Sequence, residues 1–238
     1  MSRLFAIATR EYAAFFRVPL GWIVAALFLF ISGWVFARGT LIPGQPASLR
    51  EFFAAWWGLL VIICPAISMR LMSEELRSGT VEGLLTSPLN EVQIVVGKFL
   101  GAAAFLLTTL VPTLAYVGVL AFLSKPDLGP MATGYLGVGL LGCLYLAVGT
   151  LVSCLTSSQT LAFLATLFGL LASEVAALQL ALRVGEPWNQ VLTGLSANLR
   201  VVDFARGLID TSHLGYFASA IALFLTLAAL AVRVRRWR

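Results

Sequence analysis

Charge is what this sequence is shortest of: 11% of its 238 residues are Asp, Glu, Lys or Arg, 60% are hydrophobic, and mean hydropathy is +0.94. Soluble domains carry roughly 25% charged and 45–50% apolar residues, so that class is excluded and an integral membrane protein is expected. Histidine is almost missing, His213 standing alone, and the three cysteines, Cys64, Cys143 and Cys154, fall singly in apolar stretches. Such residues cannot supply the spacing of a zinc, haem or dithiol centre, so no metal site is expected and the cysteines read as small core residues. No G-x-x-x-x-G-K-[ST] segment occurs, which removes a P-loop for nucleotide phosphates. An intramembrane serine hydrolase would have to use His213, expected at the outer boundary with no acidic orienter in its own helical turn. That enzyme reading rests on His213 alone.

What is present in abundance is apolar sequence in runs long enough to cross a bilayer. About 20 residues rising ~1.5 Å each span a ~30 Å hydrocarbon core. Six spans are expected at about 20–37, 53–70, 98–123, 133–155, 160–181 and 214–233, the fourth and fifth separated by the polar run Thr156-Ser157-Ser158-Gln159-Thr160. The fold class is therefore all-α and membrane-embedded. An even number of spans puts both termini on one side, and that side collects ten of the sixteen Lys and Arg residues, four of them within the last six positions. Positive-inside bias then makes the termini and the 71–97 loop cytoplasmic. The net charge of +5 needs no nucleic acid, because no basic groove interleaved with aromatics stands outside the spans.

The first seventeen residues do not read as a cleaved secretory leader, since they carry Glu11 and lead into an apolar run longer than the usual ~7–15 residues. On a helical wheel Leu4, Phe5, Ala8, Tyr12, Phe15 and Phe16 share an arc opposite Arg3, Arg10 and Arg17, the pattern of an amphipathic helix in the membrane interface. A solvated leader that merely carries positive charge is the plainer alternative.

The 71–97 loop is too charged and too short to be mere connection. Glu74, Glu75, Arg77 and Glu82 surround Gly79-Thr80, where Thr80 can cap a short helix over residues 81–86 that stops before Pro88. Asn90, with Gln93 three residues on, restarts a helix that runs through Lys98 into the third span. Val81, Leu84 and Leu85 share one side of the short helix. They enter a groove on another protein or pack back on the span ends, and spacing alone leaves both open.

The run E-x-R-S-G-T-V-E-G-L-L-T-S-P from Glu75 to Pro88, followed by Gly97-Lys98, resembles the first cytoplasmic loop of permeases of the type-2 ABC exporter family. Span order, the leading helix and a long loop between spans five and six are similar too, so the resemblance covers nearly the whole chain. The segment FARGLIDTSHLGYF, residues 204–217, is similar to the shorter permeases associated with gliding motility and nitrous-oxide-reductase maturation. The resemblance implies a six-span subunit of the bacterial or archaeal cytoplasmic membrane that pairs with a second permease subunit, as a homodimer or with a close paralogue. It would bind two ATPase subunits, with ATP and magnesium on those partners and no cofactor on this chain. Residues 81–87 would be the coupling helix that docks on the ATPase, with Glu74, Glu75, Arg77 and Glu82 as its polar support, and spans one and five would face the partner permease.

In the 182–213 loop Asn198 can start a helix on which Arg200, Asp203, Arg206 and Asp210 recur at intervals of three, three and four, placing opposite charges on one face. Val202, Ala205 and Ile209 are expected on another face. The resemblance implies paired re-entrant half-helices that close the pathway from outside. The plainer reading is an interfacial helix whose surface ion pairs contribute ~0–1 kcal/mol each. Glu174, late in span five, lines the pathway or reaches outer water, and Gly97 and Gly101 form a small-x-x-x-small pair that chance readily supplies in a chain of 21 glycines. Three function classes follow: a permease moving a substrate, a subunit of the same family passing ATP-driven motion to extracytoplasmic partners without cargo, and the intramembrane enzyme.

Overall fold

A computed structural model describes residues 3–40, 48–79, 90–124, 127–183, 194 and 196–236, and among them every regular element is helical. In order these are α1 (Arg3–Arg17), α2 (Pro19–Gly39), α3 (Arg50–Ser68), α4 (Ser73–Ser78), α5 (Glu91–Leu110), α6 (Leu114–Leu123), α7 (Leu128–Leu155), α8 (Gln159–Arg183), α9 (Ala197–Ala205) and α10 (Thr211–Arg236). Six stretches are long and apolar enough to span a membrane: Pro19–Gly39, Arg50–Ser78, Glu91–Leu123, Leu128–Leu155, Gln159–Ala177 and Thr211–Arg235.

Burial separates these spans into two groups. Spans two, three and four have 61–67% of their apolar window buried against protein, whereas spans one, five and six have 22–28%. Span four is the hub, since α7 packs on α3, α5, α8, α9 and α10. In lipid no hydrophobic force draws helices together, so close steric fit has to do it, and small residues supply that fit. Along α7, Gly137 lies under Phe204 of α9, where a Cβ would stand 2.8 Å from the phenylalanine Cβ. Beside it Phe28, Phe36, Phe52, Phe53, Trp56, Tyr116 and Tyr135 interlock edge-to-face and stacked across spans one to four.

Span three is one helix in two pieces. Pro112 lacks an N–H and crowds the preceding turn, so the α-helix stops at Leu110, passes through a 3-10 turn at Val111–Thr113 and resumes as α6. Side chains brace the break: Thr113 Oγ1 donates to the Leu110 carbonyl at 2.6 Å, and the Tyr135 hydroxyl donates to the Thr113 carbonyl at 2.9 Å. The expected polar break between spans four and five falls at 156–158, where Ser158 N–H donates to Thr156 Oγ1 at 3.2 Å and Leu161 N–H to Ser158 Oγ at 3.4 Å. Asn90 N–H donates to Gln93 Oε1 at 3.3 Å at the start of α5.

The outer helix departs from its expected form. It begins at Ala197 with Ser196 as its cap, and it ends at Ala205 because Gly207, at φ 88°, turns the chain away. Its buried face is Val201, Phe204 and Ala205, while Ile209 lies beyond the helix end and is exposed. Asp210 is also off the helix and caps α10, accepting from Ser212 N–H at 2.8 Å. The expected coupling helix at 81–86, with Thr80, Glu82, Leu84, Leu85 and Pro88, lies outside the described residues, as do most residues of the 182–195 segment.

Candidate functional site

Two polar clusters occupy opposite ends of the bundle. One end, expected from the charge bias to be the inner, cytoplasmic one, carries the start of α1, α4, the start of α5 and the end of α10, and its centre is Lys98 on the second turn of α5. Lys98 is 3% exposed, donates to Glu11 Oε1 at 2.9 Å and lies 2.8 Å from Glu75 Oε1. Arg10 approaches the same Glu75 oxygen at 4.0 Å, and Glu75 Oε2 is buried without a hydrogen-bond partner among the described residues.

Local structure explains how three distant segments deliver charges to one point. Helix α1 lies against α5 because Gly97 and Gly101 leave room for it: a Cβ at Gly97 would fall 2.8 Å from Ile7 Cγ2, and one at Gly101 would fall 2.7 Å from Glu11 Cβ. The small-residue pair therefore receives the N-terminal helix, with Phe15 stacked on Phe105 and the Tyr12 hydroxyl 3.1 Å from Thr108 Oγ1. Helix α4 is placed by the end of span four. Ser153 Oγ accepts from Met72 N–H at 3.0 Å and Ser73 N–H at 3.1 Å, and it donates to the Met69 carbonyl at 3.3 Å. Arg70 lies 3.6 Å from Glu74 Oε2 with its guanidinium 5.5 Å from the Phe15 ring centre. Of the remaining residues singled out in the sequence, Arg77 is exposed on α4 and Gly79, at φ 72°, ends that helix.

The outer cluster gathers around Glu174. Tyr145 of span four donates to Glu174 Oε1 at 3.1 Å, Ser196 donates to Glu174 Oε2 at 3.1 Å, and the Asn198 backbone N–H also bonds the carboxylate. A cavity of about 90 Å³ beside it is lined by Trp57, Glu174, Val175, Ser196, Asn198 and Leu199. Arg200 turns away from Asp203. Its Nη2 donates to the Gly194 carbonyl at 2.6 Å, its Nη1 to His213 Nδ1 at 3.3 Å, and its plane lies 4.0 Å from the centre of the Tyr216 ring. Asp203 pairs instead with Arg206 at 3.4 Å and faces His213 Nε2 at 3.7 Å.

His213 thus has an acidic neighbour after all, supplied by a different helix. Both ring nitrogens face charged groups, so neither is directed at a serine hydroxyl as a hydrolase would need. Asp210 is solvated, and its carboxyl is held below the ordinary 3.8 by the Ser212 backbone and side-chain hydrogen bonds, with His213 and Arg200 adding to the effect. Sequence reasoning missed Lys98 as a centre, Glu11 and Glu75 as its partners, Arg10 as a second cation on Glu75, and Tyr145 and Ser196 as the donors to Glu174. Lys98 alone carried a signal, being a lone cation next to the predicted start of a span.

Comparison with known proteins supplies the context for this geometry. Residues 43–179 match the model of the ABC-2 family transporter protein, more than half of the chain. The match encloses Glu74, Glu75, Lys98 and Glu174 and leaves α1, α2, α9 and α10 outside. No curated protein matches the chain. The matched domain is a transmembrane component and not itself catalytic. The chain is a multi-pass membrane protein and belongs to the ABC-2 family of transporter proteins, as a permease subunit.

Proposed function

We propose that this permease is the membrane half of an ATP-driven exporter in a bacterial or archaeal cytoplasmic membrane, with both termini and the 71–97 loop in the cytoplasm. Two ATPase subunits dock on that loop and carry the ATP and magnesium, this chain holding no cofactor of its own. A second permease subunit, another copy or a close paralogue, completes the pathway against the thinly covered spans one and five. Their uncovered rings, Trp22, Phe30, Trp34 and Phe168 among them, are free for that subunit and for lipid. Among such permeases the chain resembles the short six-span kind, and no cargo is carried over from it.

The observation that supports this reading is the Lys98 cluster. A loop can transmit force only if its two roots are stiff, and here both roots meet at one lysine: α4 through Glu75 and α5 through Lys98 itself, with α1 bound in through Glu11. A push on the loop therefore moves α1, α4 and the inner half of span three as a block. That motion meets the Val111–Thr113 turn, where the helix changes course.

The test is the double change Leu84→Ser/Leu85→Ser in the permease co-expressed with its ATPase. Burying each leucine is worth ~1.5–3 kcal/mol, so docking should weaken more than about tenfold. The variant should elute in detergent like the wild-type permease but without the ATPase and without permease-dependent ATP hydrolysis. Co-purification at wild-type stoichiometry would remove the docking role from these leucines.

A further inference from the structure

We infer that α9 is a hinged flap, fixed at its C-terminal end on span four and latched at its N-terminal end by the Glu174 carboxylate of span five. Its use as the outer gate of an export pathway rests on the permease reading above, whereas the hinge and the latch do not.

The two ends of this nine-residue helix are held by different physics. At the C-terminal end Val201, Phe204 and Ala205 are 1%, 0% and 3% exposed, and Phe204 fills the space that Gly137 leaves on α7. Thr133 Oγ1 donates to the Phe204 carbonyl at 2.6 Å, and Gly207 closes the helix by donating its N–H to the same carbonyl at 3.0 Å. Releasing that end would empty a close-packed socket. At the N-terminal end the one buried apolar group of the first turn is the Ala197 methyl, and Leu199 is exposed.

What holds the first turn is polar. Ser196 Oγ and the Asn198 N–H both donate to Glu174, whose second oxygen is steadied by the Tyr145 hydroxyl. A second catch runs from Arg200 to the Gly194 carbonyl and to His213 on span six. Polar contacts beside a partly open cavity exchange with water, while a buried phenyl ring does not. Each catch also leaves a buried atom without a partner among the described residues, Asn198 Oδ1 in one and Arg200 Nε in the other. Those atoms gain water when the turn lifts, and the cavity of about 90 Å³ beside Glu174 is where water enters. The permitted motion is rotation of the first turn about Phe204, away from span five.

Residue-resolved hydrogen exchange on the full-length chain in lipid nanodiscs tests this without any transport assay. Glu174→Gln keeps the shape but lacks the second acceptor oxygen, so the amides of 198–201 should exchange about tenfold faster, while those of 204–207 keep wild-type protection. Tyr145→Phe, which leaves α9 and its Ser196 cap untouched and removes only the hydroxyl that steadies Glu174, should accelerate the same amides by a smaller factor and keeps the test decisive if the first variant is poorly folded. Wild-type protection at 198–201 in both variants overturns the latch. Equal acceleration across 198–207 overturns the hinge. Neither result bears on ATPase docking, which the leucine variant reads separately.

Discussion

The two ends of the bundle fasten a short helix in contrasting ways. At the inner end full charges meet largely out of water, Lys98 between Glu11 and Glu75, with the exposed Arg10 at the edge. At the outer end one carboxylate receives hydroxyl and amide donors, and the neighbouring arginine spends itself on a carbonyl and an imidazole. A buried ion cluster strongly penalises any displacement of its members, because each charge left behind is uncompensated. Neutral donors on a carboxylate near water impose a smaller penalty and can be replaced by solvent. The inner end is therefore built to move as one piece, and the outer end to come apart.

The harshest way to break that contrast is to remove the lysine. Lys98→Met leaves Glu11 and Glu75 facing each other with only Arg10 nearby, and breaking a buried ion pair from one side costs about 3–5 kcal/mol. Denaturant unfolding in detergent should show that loss, whereas the triple change Lys98→Met/Glu11→Gln/Glu75→Gln should recover much of it. If Lys98→Met proves milder than Glu174→Ala, the two ends are not fastened differently and the contrast fails.

A smaller effect sharpens the same point through shape alone. Gly101→Ala places a Cβ 2.7 Å from Glu11 Cβ and 2.8 Å from the Ala8 carbonyl, so α1 must retreat and carry Glu11 off Lys98. Overpacking of this kind costs about 1–3 kcal/mol. Gly118→Ala on α6 meets nothing within 4 Å and serves as the control, expected to be neutral or slightly stabilising. In a double-mutant cycle with Glu11→Gln the Gly101 effect should be non-additive, since both act on one contact. Simple additivity would mean that α1 docks without help from the ion cluster.

These residues also mark where sequence reading stops. Six spans, the break at 156–158 and the helix start after Asn90 follow from local chemistry: apolar length, a run of hydroxyl residues and a capping pair. The Lys98 cluster joins positions 11, 75 and 98, and no periodicity links residues 87 positions apart. Gly97 and Gly101 were visible as a small-residue pair, but what they receive is the N-terminal helix, a fact of packing. On the outer helix the alternation of charges pointed to one charged face. Gly207 ends the helix before Asp210 joins it, and Arg200 finds better partners on α10 than Asp203 offers.

The mildest test belongs to Asp210, at the loosest point of the outer end. Its carboxylate caps α10 through Ser212 N–H at 2.8 Å and titrates below its ordinary 3.8 because that hydrogen bond favours the charged form. A carboxyl whose folded value is depressed adds stability that is complete above its unfolded value and lost as pH falls through the folded one. The gap in thermal stability between wild type and Asp210→Ala should therefore be constant from neutral pH down to about pH 5 and should close below about pH 4. The residue is fully exposed, so the gap is expected to be the smallest of those described here. A gap that persists unchanged into acid would show that the side chain caps α10 equally well when neutral, and that charge plays no part at the start of the last span.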